Sequence, residues 1–278
     1  MIIGVRAHDF GKQNIEDLAK KIGNKGFPCI QLALGKAVAG IDSSLGKLNP
    51  GMANYIRETL YKENIHVAVM GCYINPIHPD PVERRKSLDR FKEHIRYARD
   101  FGCSIVGTET GSMNADFSYN PATHSEEALQ ILIESVKELV EEAEKFGVLV
   151  CIEGVTSHSV STPQKMKRVL DTIQSNNLQV IFDPVNFLSI ENYQNQDEII
   201  KESFELFGDR IVILHAKDFI IEDGKMVTVE TGKGLLNYEL LIKLTKVQKP
   251  YIQVLLENAT EDTAQASKKY IEDIYARV

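Results

Sequence analysis

The feature that most constrains this chain is a recurrence of short, almost unbroken apolar runs rich in β-branched residues. They read "IIGVRA" at 2–7, "FPCIQLAL" at 27–34, "HVAVMGCYI" at 66–74 and "SIVGTET" at 104–110, then "VLVCIEG" at 148–154, "LQVIFDP" at 178–184, "RIVILHA" at 210–216 and "YIQVLLE" at 251–257. A strand with one wet face alternates apolar and polar side chains, whereas continuous runs suit a parallel sheet whose outer face is covered. The segments between the runs carry the cover. "SEEALQILIESVKELVEEAEKFG" at 125–147 opens on a Ser N-cap with acidic residues in its first turn, keeps an apolar face and stops at glycine. "DPVERRKSLDRFKEHIRYARDFG" at 80–102, "TPQKMKRVLDTIQSNN" at 162–177 and the closing "DTAQASKKYIEDIYARV" repeat the pattern, with Pro163 after Thr162 as a cap followed by a first-turn proline.

Eight strand–helix units within 278 residues, with strand starts about 35 residues apart, predict an α/β chain folded as a (β/α)8 TIM barrel, for which about 250 residues is typical. An open doubly wound sheet is the rival. No GxGxxG or GxxxxGK[ST] follows a strand to cradle a phosphate, however, and no linker or low-complexity segment divides the chain, so one domain over residues 1–278 is expected.

Charge narrows the function. A formal net charge of −7 gives no basic footprint for nucleic acid. Cys29, Cys72, Cys103 and Cys151 each lie in or beside an apolar run without metal spacing, so they read as reduced core thiols of a cytoplasmic protein. The N-terminus enters a strand pattern directly, without the pattern of a signal peptide, and no run reaches the length of a membrane span.

In a barrel the active site lies where strands end, at the C-terminal face. Four consecutive strands end in metal-ligand residues: Glu153 in "CIEG", Asp183 in "IFDP", His215 in "ILHA" and Glu257 in "LLEN". Neighbouring strands run about 4.8 Å apart, so inward side chains at four adjacent tips can converge. Three carboxylates brought together would repel and force protons onto one another, and a divalent cation relieves the conflict. Three carboxylates with one imidazole suit Mn²⁺, Mg²⁺, Co²⁺ or Zn²⁺ rather than copper or an iron–sulfur cluster. Singly, each residue reads as a helix cap or half of an ion pair; the set of four carries the expectation.

Other polar residues reach the same face. His8 ends the first strand, Glu109 the fourth, and His158 follows the fifth in "GVTSHSVS"; all three are candidates to line a substrate pocket. Lys217 is expected to pair with Asp218 across a strand tip or to meet an anionic substrate group, and Gly232 and Gly234 to supply a turn. His66 begins a strand at the wrong end, and His94 lies mid-helix.

"CIEG", "IFDPVNF", "LHAKD", "TGKGLLNYE" and "LLEN", in this order, resemble the xylose-isomerase-like superfamily, especially the sugar phosphate isomerase/epimerase group with its ketose 3-epimerases, inosose dehydratases and endonuclease IV branch. The resemblance spans essentially the whole chain. It implies a barrel holding one divalent ion on Glu153, Asp183, His215 and Glu257, with Glu153 and Glu257 exchanging a proton with a sugar carbon. It also implies a small carbohydrate substrate, with a homo-oligomer as a possible assembly. Two departures matter. Asn186 stands where the epimerases place a histidine, so a substrate contact there would be an amide. "GKMVTVETGKG" lacks the Asp-x-His pair of the endonuclease branch, which speaks against a trinuclear zinc cluster and DNA repair. The expected activity is therefore a metal-dependent sugar isomerase or epimerase acting through an ene-diolate, on a ketose, a polyol-derived ketone or a sugar phosphate. The alternatives are a dehydratase of an inosose-type substrate and a non-catalytic sugar-binding barrel.

Overall fold

The computed structural model describes residues 1–278. Each of the eight apolar runs forms a parallel strand: β1 (Ile2–Arg6), β2 (Cys29–Leu32), β3 (His66–Gly71), β4 (Ile105–Glu109), β5 (Leu149–Glu153), β6 (Leu178–Phe182), β7 (Ile211–Ala216) and, closing the ring against β1, β10 (Gln253–Leu256). The two strands between them in sequence, β8 (Asp218–Glu222) and β9 (Lys225–Val229), form a separate antiparallel hairpin beyond the tip of β7. The barrel is packed rather than hollow. A Cβ on Gly107 of β4 would stand 2.5 Å from Ile181 Cδ1 of β6, so a side chain there would have to displace the isoleucine.

The helices that wrap the barrel are α1 (Ile15–Asn24), the one-turn α2 (Leu34–Ala37), α3 (Pro50–Lys62), α4 (Pro81–Tyr97), α5 (Glu126–Phe146), α6 (Pro163–Ile173), α7 (Gln196–Phe207), α8 (Tyr238–Gln248) and α9 (Ala264–Arg277). Their ends follow the predicted signals. The Ser125 hydroxyl accepts the Ala128 N–H at 3.2 Å, and Gly147 closes α5 with φ +60°, a conformation that costs glycine least. Thr162 caps α6 with Pro163 in the first turn. Helix α4 stops at Tyr97, short of the predicted 102, because residues 98–101 tighten into turns before Gly102 at φ +74°. No helix is long and apolar enough to cross a membrane.

Candidate metal centre at the barrel mouth

Glu153 is the last residue of β5 and lies beside Glu109, its register partner at the end of β4. Asp183 follows β6 and opens a 3-10 turn, Pro184–Phe187. Its Oδ1 accepts the Val185 N–H at 2.9 Å, while Oδ2 faces the mouth side of the cluster. His215 is the penultimate residue of β7. Glu257 follows β10 and is anchored by its own N–H, which donates to the Ala216 carbonyl at 2.9 Å, before the chain turns away through Asn258 at φ +55°. Each of the four offers a ligand atom, all these atoms lie within 4.8 Å of one another, and all four residues are buried.

Cations of the chain hold the carboxylates. His215 Nδ1 stands 3.1 Å from Glu153 Oε1 and 3.0 Å from Glu257 Oε1. Lys217 Nζ lies 2.9 Å from Asp183 Oδ2 and 3.2 Å from Glu257 Oε2, and donates to Asn186 Oδ1 at 2.7 Å. Asn186 in turn donates from Nδ2 to Glu153 Oε1 at 2.8 Å, so the amide links the lysine to the glutamate. Arg6 at the end of β1 approaches Glu257 Oε1 at 3.1 Å while its fork is fixed by Asp9.

The electrostatics record the strain of this packing. Burial would drive the His215 imidazole down, but the charges of Glu153 and Glu257 lift it to about 10. Burial raises the Asp183 carboxyl to about 6 against the pull of Lys217. For Glu257 burial also pushes upward, yet Lys217 and His215 hold the group well below the usual carboxylate range. Glu109, pushed up by burial and then by Glu153 and Glu257, reaches about 7.

Five buried side-chain atoms in the whole chain have no hydrogen-bond partner: His8 Nδ1, Gln31 Oε1, His158 Nδ1, Asp183 Oδ2 and His215 Nε2. Every one lies at or just beyond a barrel-strand tip on the same face. Buried polar atoms are ordinarily satisfied, so their concentration here marks a place built for a polar ligand. Asp183 Oδ2 is close to Lys217 in distance, but the approach is not aligned as a hydrogen bond; we read it as an ion pair that leaves the oxygen free to ligate. A free imidazole nitrogen, His215 Nε2, beside three buried carboxylates, one of them held by Lys217, fits a divalent metal. Ligation would require His215 to give up its proton.

The remaining expected residues divide. His8, in the turn after β1, has its imidazole pushed down to about 4 by burial and Arg6, and His158 is pushed equally low by burial. His158 Nδ1 stands 3.6 Å from Glu109 Oε2, with the Phe117 ring 5.5 Å away. Lys217 does not pair with Asp218. Instead Asp218 turns away and accepts the N–H groups of Phe219 (2.9 Å), Gly232 (3.1 Å), Gly234 (3.0 Å) and Leu236 (2.9 Å). His94 is buried in α4 with Nδ1 2.9 Å from the Arg90 carbonyl, and His66 starts β3 at the opposite end. Arg6, Gln31 and Tyr73 belong to the rim and escape a reading focused on metal ligands. The signal for Arg6 was the same as for Glu153, a polar residue at the end of an apolar run, whereas Gln31 is a polar residue inside one. A cleft of about 580 Å³ between α7, α8 and the C-terminus contains none of these residues.

No curated protein matches the sequence. Among solved structures, a D-tagatose 3-epimerase-like protein superposes with a TM-score of 0.79 at 20% identity, covering 100% of this chain and 98% of that one. D-psicose 3-epimerase with D-tagatose from Clostridium cellulolyticum H10 gives 0.72 at 14% identity over 99% of both chains. The IOLI protein with a zinc atom gives 0.75 at 16% identity over 100% of this chain and 99% of that one. At such identities the likeness concerns the fold. The family model described as xylose isomerase-like TIM barrel matches residues 17–273. With the closed parallel barrel and the buried carboxylate–imidazole cluster at its mouth, that match makes the chain a member of the xylose isomerase-like TIM barrel family.

Proposed function

We propose that the protein is a divalent-metal-dependent sugar isomerase or epimerase acting on a ketose or a related polyol-derived ketone. The observation that carries this reading is the convergence of Glu153, Asp183, His215 and Glu257 within 4.8 Å, in a mouth where the chain's unpartnered buried polar atoms are gathered. Bound on these four residues, a divalent cation supplies Lewis-acid polarisation of a carbonyl and of the hydroxyl beside it, which acidifies the adjacent C–H.

The chain's own residues do the rest. Glu153 and Glu257 come from strands on either side of β6 and β7 and approach His215 Nδ1 from two directions, so a substrate carbon between them would meet a carboxylate on each face. One takes the proton and the other returns it: opposite faces give epimerisation, and return to the neighbouring carbon gives isomerisation. Asn186 fixes the Glu153 oxygen it touches, and Arg6 does the same for Glu257. Lys217 balances the charge as the carboxylates lose and regain protons. His8, His158 and Glu109 have polar atoms for the substrate's hydroxyls; if the glutamate that took the proton passed it to a hydroxyl on the next carbon, that hydroxyl would leave as water and the reaction would be a dehydration.

The test is solvent deuterium exchange followed by proton NMR on a panel of ketoses with metal-loaded protein. Glu153→Gln and Glu257→Gln should each slow exchange by about 100- to 10,000-fold, the range of a positioned acid or base. Undiminished exchange in both variants removes the assignment, and metal-loaded protein without exchange on any ketose favours a sugar-binding role.

A further inference from the structure

We infer that the mouth carries a subsite for an anionic group of the substrate, a phosphate or a carboxylate, built by Lys36 and Arg90 around Tyr73. The inference deepens the proposed function and rests on its premise that the mouth receives a sugar. Tyr73 lies just past β3. Its ring covers Gly71, and its phenol oxygen accepts a hydrogen bond from Gln31 Nε2 on β2, so the ring forms part of the barrel rim. The side of the mouth that this rim faces is marked by Phe117, whose ring stands 5.5 Å from that of His158, itself 3.6 Å from Glu109 Oε2.

Two cations converge on this tyrosine. Lys36 holds its ammonium 4.0 Å from the ring centroid, and Arg90 of α4 donates from Nη2 to the Tyr73 carbonyl at 2.6 Å. Both line a cavity of about 220 Å³ with Ser43, His94 and residues 33–35. Arg90 and Tyr73 are shared with an adjoining cavity of about 450 Å³ that also reaches His78, Lys86 and Phe117.

Neither Lys36 nor Arg90 has a carboxylate partner, although the chain carries a net charge of −7. Glu93 accepts the N–H groups of Gly46 (2.9 Å) and Leu48 (3.3 Å), Glu83 pairs with Lys86 at 2.6 Å, and Glu109, whose carboxyl feels the Lys36 charge, has its contact with His158 at 3.6 Å. Lys36 alone would be an ordinary surface lysine. A half-buried guanidinium is different: it has five donors in a planar fork, and here one is spent on a carbonyl. That fork matches the two oxygens of a phosphate or carboxylate, and the lysine adds a second positive charge over the same cavity.

The probes are inorganic phosphate and acetate, titrated calorimetrically into the full chain, so that the result does not depend on finding the sugar. Saturable binding of phosphate, of acetate or of both identifies the anion. Lys36→Met and Arg90→Gln should each weaken that binding by about tenfold or more, the loss of a charge-assisted contact, while Arg90→Lys retains part of it. Lys36→Met alters an exposed side chain and guards against an unfolding artefact at Arg90. No saturable binding of either anion, or binding within about twofold of wild type in both Lys36→Met and Arg90→Gln, overturns the subsite. Anion binding without solvent exchange on any ketose, ketose phosphate or keto-sugar acid would leave the subsite standing and remove the isomerase reading; exchange on ketoses without anion binding would do the reverse.

Discussion

Asp218 offers the sharpest test of how the mouth is held together. Its carboxylate is 1% exposed and accepts four backbone N–H groups, three of them from residues 232–236. In Asp218→Ala the half-buried Gly232 and exposed Gly234 can turn their N–H groups to water, but Phe219 and Leu236 are buried and their donors are stranded. A stranded buried donor costs about 1–3 kcal/mol, and each hydrated replacement forfeits a fraction of a charge-assisted bond worth about 1.5–3 kcal/mol. The expected loss of stability is about 3–4 kcal/mol. Asp218→Asn, isosteric in shape, should cost nearly as much, because one side of the amide is an NH₂ facing two N–H donors. Gly234→Ala acts on the same anchor from the other side, since its Cβ would fall 2.2 Å from the Phe219 carbonyl oxygen and 2.4 Å from Asp218 Oδ1. Urea unfolding measures the three losses, and amide hydrogen exchange at Gly232, Gly234 and Leu236 locates them. If Asp218→Ala and Asp218→Asn both unfold within about 1 kcal/mol of wild type, the anchor reasoning is wrong.

Replacing His215 with Ala should abolish tight binding of one divalent ion, read by elemental analysis after dialysis, and with it the rise in melting temperature that added metal produces in wild type. Asn186→Ala, which frees the Glu153 oxygen and Lys217 together, should lower metal affinity or turnover by about 10- to 100-fold without changing the fold. His94, which lines the cavity of Lys36 and Arg90, supplies a pH dependence apart from the carboxylate cluster. Burial lowers its pKa to about 4, whereas the unfolded chain protonates it near 6.5. Its contribution is therefore fully present above pH 6.5 and is lost as the pH falls toward 4, by up to about 3 kcal/mol. His94→Gln should flatten the stability curve over that interval; an unchanged slope would mean the imidazole protonates without unfolding the helix.

The barrel was legible because burial on both faces leaves a trace that needs no partner: eight continuous apolar runs, each ending where a polar residue can face the mouth. The same logic found the four cluster residues, since a carboxylate at the tip of such a run has nowhere dry to go without a cation. What the sequence concealed depends on neighbours distant in the chain. "KMVTVE" alternates as a strand should, but its partner is the segment directly after β7, and the hairpin they form stands outside the repeating strand–helix register.

Lys217 and Asp218 show why local reading fails at such a place. Adjacent opposite charges invite pairing, yet consecutive residues in extended chain point to opposite sides. The lysine falls among the carboxylates of β6 and β10, and the aspartate falls on the loop at 230–236. Both destinations are polar, and both side chains are buried where they reach them. The two residues thus answer two separate demands, one for positive charge between acids and one for an acceptor beneath a glycine-rich turn, and a single change of register at the end of β7 would leave both unmet. That coupling gives the hairpin its place in the fold: it keeps the strand after His215 extended, so that the imidazole and the lysine, two residues apart, stay on the same side of the chain.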